Sequence, residues 1–330
     1  VTTLDARVVE ALGAERAAAV RNAVGRARRG LAEAPFEGAR DVPTMLAPEE
    51  VDLLYLLARD TGLDGDVVEL GTFLGGSTLA LGRGLQDRPG GPGAVRVHTY
   101  DTFVQEAWPE FGVADGEDVL PRWERTVAPV RSLVDVHPGR LGGREPTPLP
   151  AGPVDLLFVD VVKEASTVTP VLHDFVARTR PGSVVVHQDM FHWGSPWVLV
   201  TVEALWDRFA YVGHVARASG VLVVAEPLEE EARGTDWGAI SPAAQLALID
   251  ALATRFEHPT LRGSVEAAAV YLAKLHDPTT YRRRLERARA QDPGPRVRRF
   301  LDEVEAADDR GALAPAGHHP FDPTTTGSRA

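Results

Sequence analysis

The sequence predicts an α/β protein with a doubly wound, mostly parallel seven-stranded sheet, flanked by an N-terminal helical cap and a C-terminal helical extension. Three observations predict it. Short apolar runs alternate with helical periodicity from Asp66 to Arg208, which implies parallel pairing through right-handed crossovers. A Gly-rich turn, Gly71 to Gly76, follows the first of those runs. Two apolar runs, Tyr211–Ala216 and Val221–Ala225, lie either side of Ser219-Gly220 and read as a closing hairpin.

Residues 5–34 and 48–61 carry Ala, Leu and Val at helical spacing, with Pro48 in the first turn of the second segment. These make up the cap, residues 1–62. The core, residues 63–228, is expected to hold strands at Asp66–Leu70, Val95–Tyr100, Leu133–His137, Val154–Asp160 and Ser183–His187, before the hairpin. Helices are expected at Ser77–Leu85, Thr169–Arg178 and Trp197–Phe209. Helical periodicity returns over the extension, 229–306, and the Ala-, Gly-, Pro- and Thr-rich tail 307–330 is expected to be disordered. Residues 104–122 form an acidic insertion with Trp108 and Phe111 in it and Trp123 beside it, which reads as a lid or as a packed surface loop.

A chain of 330 residues that is 44% hydrophobic can bury a sizeable core. A net charge of −12 argues against a general binder of nucleic acids or anionic membranes. With no cysteine, disulfides, thiolate catalysis and Cys-ligated zinc are excluded. No secretory leader or membrane-spanning run is legible, so the expectation is a cytoplasmic protein. Only Lys163 and Lys274 are lysines, against 33 arginines.

Gly71 allows a sharp turn after Glu69-Leu70, Gly75-Gly76 allow close approach of a ligand, and Ser77 opens a helix with free N–H groups. Such a turn serves several cofactor classes, but its glycines do not fit G-x-G-x-x-G, which disfavours a nicotinamide enzyme. Asp101, at the tip of the next strand, is placed to bind ribose hydroxyls or to cap the following loop, and Thr102 follows it. Further along, Asp160 and Asp189 end neighbouring strands on the same edge, and their convergence would suit a hard divalent ion.

The segment Glu69-Leu70-Gly71-Thr72-Phe73-Leu74-Gly75-Gly76-Ser77 resembles motif I of the catechol O-methyltransferase-like branch of class I S-adenosylmethionine-dependent methyltransferases. With Pro43-Thr44-Met45 ahead of it, the chain also resembles the macrocin O-methyltransferase group, over roughly residues 40–226. The resemblance implies a cofactor site of Glu69, Gly71, Thr72, Phe73, Gly75, Ser77, Asp101, Thr102 and Asp160. It implies a metal set of Asp160, Gln188 and Asp189, with Mg²⁺ or another divalent cation. Phe158-Val159-Asp160-Val161-Val162-Lys163 resembles that family's D-x-x-K motif, in which the lysine deprotonates the substrate hydroxyl and would need a lowered pKa. Gln188 stands where the family carries an acidic ligand, which puts the metal in doubt.

His192 faces the same edge as a base, as a group that orients the acceptor, or as a structural histidine. The expected reaction is O-methylation of a small-molecule hydroxyl, on a natural product or a sugar, with no nucleic-acid or membrane partner. Terminal helices offer a homodimer interface. The alternatives are a methyltransferase fold reused for cyclisation, isomerisation or binding alone, and an iron site built on His187, Asp189 and His214.

Overall fold

A computed structural model describes residues 6–30, 42–143, 147–291 and 293–307. The cap is α1 (Ala6–Leu12), α2 (Ala14–Arg28) and α3 (Pro48–Asp60). The single helix expected over 5–34 is broken at Gly13, whose φ of 73° leaves the helical region, and its last four residues lie outside the described chain. In α3, the Glu50 carboxylate accepts the Ala47 N–H at 2.9 Å and ties down the helix start.

The core runs β1 (Asp66–Leu70), α4 (Gly76–Asp87), β2 (Val97–Asp101), β3 (Val104–Gln105), β4 (Glu117–Asp118), α5 (Leu120–Val127), β5 (Val134–Pro138) and β6 (Val154–Val159). A short helix α6 (Val168–Pro170) continues through a π turn at Val171–Phe175, and then come β7 (Thr179–His187), α7 (Pro196–Ala204), β8 (Phe209–Val215) and β9 (Ser219–Val224). The sheet has seven strands in the order β5-β2-β1-β6-β7-β9-β8. β9 runs antiparallel to both its neighbours, and the pairings among β5, β2, β1, β6 and β7 are parallel. This bears out the expected doubly wound sheet with its closing hairpin.

The larger departures from expectation lie at β7, at α7 and in the insertion. β7 begins at Thr179 because the chain bulges through Arg180-Pro181-Gly182, with Gly182 at φ 94°, and then resumes pairing with β6 at Val184. The helix expected over Trp197–Phe209 stops at Ala204, and a 3₁₀ turn leads straight into β8. The insertion 104–122 folds on itself as the small β3–β4 sheet.

The extension is α8 (Glu229–Gly234), α9 (Pro242–Thr254), α10 (Pro259–His276), α11 (Pro278–Ala290) and α12 (Pro295–Ala306). One face of the sheet packs on α2, α3 and α4. The other packs on α7 and on Ile249, Leu252, Leu261, Val265 and Leu272 of α9 and α10, so these helices share the central core. A smaller cluster around Trp193, Tyr271 and Phe300 seats α12 beside the end of β7. The tail 308–330 lies outside the described residues. Among the described residues, no helix is long and apolar enough to cross a membrane.

The α3–α4 contact aims the helix that follows the Gly-rich turn, and it depends on Gly84. A Cβ there would lie 2.5 Å from Tyr55 O and 2.7 Å from Ala58 Cβ. Gly84→Ala, which in an exposed helix would stabilise by about 1 kcal/mol, is expected instead to destabilise by about 1–3 kcal/mol. Thermal unfolding followed by circular dichroism checks the sign.

Candidate active site

The loop after β1 is held from below. Glu69 is fully buried, and its Oε2 accepts from Thr78 Oγ1 at 2.5 Å and Thr99 Oγ1 at 2.6 Å. Thr72 and Thr78 hydroxyls lie 2.5 Å apart, and Trp123 Nε1 donates to Thr72 Oγ1 at 3.0 Å. A relay of donors thus runs from the α5 indole through two threonines to one carboxylate beneath the loop. Burial pushes the Glu69 carboxyl up to about 7, against hydrogen bonds from Ser77, Thr78 and Thr99 that favour its charge. The sequence placed Glu69 and Thr72 among the cofactor residues; the structure puts both side chains under the loop, as its support.

Above this support the backbone makes a cradle. Gly71 and Gly75 have φ of 88° and 92°, conformations that glycine adopts without strain. Phe73 holds φ 52° despite its side chain, and its ring meets Phe111 and Trp108 edge-on. The insertion therefore packs against the loop through aromatic contacts. Ser77 lies in the first turn of α4, where N–H groups have no acceptor within the helix.

Asp101 closes the cradle from β2. Its Oδ2 accepts from Thr72 N at 2.8 Å and Phe73 N at 3.2 Å, and its Oδ1 from Phe103 N at 2.8 Å. Longer contacts of 3.4 Å come from Thr102 Oγ1 and Gln105 Nε2. Asp101 therefore ties the β1 loop to the β2 loop, a role the sequence did not show.

On the adjoining edge, the ends of β6 and β7 bring Asp160, Lys163, Gln188 and Asp189 together as their strand positions predict. Lys163 Nζ donates to Asp160 Oδ1 at 2.9 Å, to Gln188 Oε1 at 2.9 Å and to Asp189 Oδ2. Gln188 Nε2 donates to Asp189 Oδ1 at 2.8 Å. Asp189 sits at φ 58°, a left-handed conformation that aspartate tolerates better than most residues. Burial acts to lower the Lys163 pKa, but the Asp160 and Asp189 charges outweigh it and hold the amine well above its usual range. This differs from the lowered value expected of a base, because two carboxylates flank one ammonium. Burial raises Asp160, while Lys163 outweighs burial at Asp189 and lowers it.

His192 follows at the same edge. Its Nδ1 accepts the Gly194 N–H at 3.1 Å, so the neutral ring carries its proton on Nε2 and presents a donor. Burial keeps the ring neutral, with Trp193 stacked on it and Phe300 edge-on. Trp193 is itself a packing residue, its Nε1 bonded to Glu303. His187 is buried and driven down to about 4 by burial, and His214 bonds Tyr211. Among the described residues, no three His, Cys, Asp or Glu side chains gather to hold a metal ion.

Two residues at this edge escaped sequence reasoning. Glu50 of α3 is buried against Ser219 at 2.5 Å, and burial pushes it up to about 8. Arg296 of α12 donates to Arg217 O and stands within electrostatic reach of Asp189 and Glu50. Burial is the main cause that brings it down to about 10. Glu50 lies in the first turn of α3 and Arg296 in that of α12, and no local pattern marks either, since their partners are far away in the chain.

Residues 68–190 match a family model described as a methyltransferase domain. No curated protein matches the chain significantly. Similar solved structures include cofactor-bound Rv0187 from MTB, at 22% identity and TM-score 0.40 over 64% of this chain and 90% of that one. The O-methyltransferase NovP follows at 15% and 0.40, over 63% and 99%. CalS11, a TDP-rhamnose 3'-O-methyltransferase of calicheamicin biosynthesis, stands at 14% and 0.38, over 61% and 93%.

The Glu69 support gives a pH prediction. A carboxyl whose folded pKa is raised from 4.5 to about 7 binds more protons folded than unfolded between those values. Its contribution is therefore complete below pH 4.5 and is lost as pH rises through 7, by up to roughly 3 kcal/mol. Glu69→Gln keeps an acceptor for the threonines and removes the titration. Urea unfolding at pH 5 and pH 8 should show a smaller loss of stability in the variant than in the parent.

Proposed function

We propose that this chain is an S-adenosylmethionine-dependent methyltransferase that transfers a methyl group to a hydroxyl of a small molecule bound at the carboxyl ends of β6 and β7. The observation that carries the reading is convergence. The Gly71–Ser77 cradle with Asp101 and the cluster Asp160, Lys163, Gln188, Asp189 and His192 share one edge of one sheet.

The cradle fits S-adenosylmethionine. Glycines at left-handed φ let backbone approach the ligand, and the start of α4 suits its carboxylate. Ribose hydroxyls would displace the two 3.4 Å contacts from Thr102 and Gln105 at Asp101. Bound there, the cofactor supplies a methyl group on a sulfonium. The acceptor oxygen would bond to that methyl carbon as the carbon–sulfur bond broke, with the bonding pair left on sulfur. The hydroxyl proton passes to Asp160, whose Oδ1 is engaged by Lys163 and whose Oδ2 makes no hydrogen bond among the described residues. His192 Nε2–H donates to the acceptor and orients it. A divalent cation does not fit the cluster as built, because Lys163 occupies its centre, and no step runs through a metal.

S-adenosylhomocysteine is expected to bind once per chain in isothermal titration. Asp101→Ala should weaken binding by ten- to a hundred-fold, as loss of charge-assisted hydrogen bonds does. Asp189→Ala should leave it within a few-fold. A panel of phenols, sugars and hydroxylated natural products, read by a mass gain of one methyl, tests the acceptor class. Transfer to nitrogen or carbon acceptors alone would refute the hydroxyl assignment.

A further inference from the structure

We propose that the Lys163 ammonium is the resident cation of this site, taking the place of a divalent metal between the paired carboxylates, so that methyl transfer here is metal-independent. The inference rests on the methyltransferase reading and deepens it.

The first argument is stoichiometric. An ammonium has three N–H donors, and Lys163 has three oxygen partners, on Asp160, Gln188 and Asp189. Two of those contacts are 2.9 Å. Mg²⁺ holds oxygens at about 2.0–2.1 Å. The Asp160 and Gln188 oxygens stand at ammonium spacing from the Lys163 centre, and both cations cannot occupy it.

The second argument is charge. Gln188 contributes an amide oxygen where a carboxylate would add a third negative charge, so two carboxylates face one ammonium. The same glutamine donates to the other oxygen of Asp189 at 2.8 Å. Asp189 then has both oxygens engaged within the protein, which is unlike a ligand awaiting a metal.

The third argument is the choice of side chain. This chain uses arginine almost throughout, yet Lys163 is one of two lysines. The other, Lys274, also spends its ammonium on three converging oxygens, the carbonyls of Val304, Glu305 and Ala307. A compact ammonium can sit at the centre of three oxygens; a planar guanidinium fork cannot. Lys163 is thus a positioning residue that holds Asp160 and Asp189 together and leaves Asp160 Oδ2 to the acceptor.

Mn²⁺ binding, read by electron paramagnetic resonance of the free ion, tests this without knowing the acceptor. The full chain is expected to bind no stoichiometric Mn²⁺. Lys163→Ala should gain one site per chain, at least ten-fold tighter than any in the parent, and adding Asp160→Asn should remove it. A merely structural lysine would give no such gain. One Mn²⁺ per parent chain that Asp160→Asn abolishes would overturn the proposal, and so would a Lys163→Ala variant that gains none. Near-isosteric Lys163→Met replaces the alanine variant if circular dichroism shows that the latter does not fold. S-adenosylhomocysteine binding by the same parent sample separates the two claims: its absence sinks the methyltransferase reading, while the Mn²⁺ result still decides the cation.

Discussion

One buried carboxylate underlies the whole cofactor side of this protein. Glu69 has no exposed surface, and it accepts hydrogen bonds from a strand neighbour, Thr99, and from the following helix, Thr78. A charge or near-charge without water is costly unless hydrogen-bonded, so the three elements around it are held to one geometry. The relay from Trp123 through Thr72 and Thr78 extends that constraint to α5. Asp101 then fixes the loop from above by taking the Thr72 and Phe73 amides. The positive φ values of Gly71, Phe73 and Gly75 persist because side chains on β1, β2, α4 and α5 surround the loop.

The chemistry side is organised by a different balance. Parallel pairing of β1 with β6 and of β6 with β7 places the cradle, Asp160 and Asp189 on consecutive strand ends. Two acidic side chains at such close quarters repel one another, and each would be pushed toward its neutral form. Lys163 resolves this by sitting between them, which holds its own amine protonated and Asp189 ionised. A lysine so placed is a poor base and a good anchor. The proton acceptor proposed here is the carboxylate oxygen of Asp160 that the anchor leaves unbonded.

Much of this was legible in the sequence, for identifiable reasons. Continuous apolar runs such as Val154–Val159 are fully buried strands, and the glycine spacing after Glu69 marks a turn that few other residues permit. Local patterns therefore gave most of the strands, their parallel pairing, the closing hairpin and the glycine turn. What they did not give depends on distant partners. Glu50 meets Ser219 across the fold, Arg296 reaches the edge from α12, and the direction of the Lys163 shift depends on a carboxylate 26 positions later. Helix ends were misjudged where apolar residues continue across a boundary, as at Leu205 to Phe209, since hydrophobic periodicity does not say where pairing to a strand begins.

The central claim is that the loop held over Glu69 is the cofactor cradle and that the Lys163 cluster beside it is the acceptor side. A crystal structure grown with S-adenosylhomocysteine tests it most directly. The account predicts the methionine carboxylate against the start of α4, the ribose at Asp101, and the sulfur directed toward Asp160 and His192. A ligand seated elsewhere, or clear density at the cradle with its sulfur turned away from the β6 and β7 ends, would contradict it.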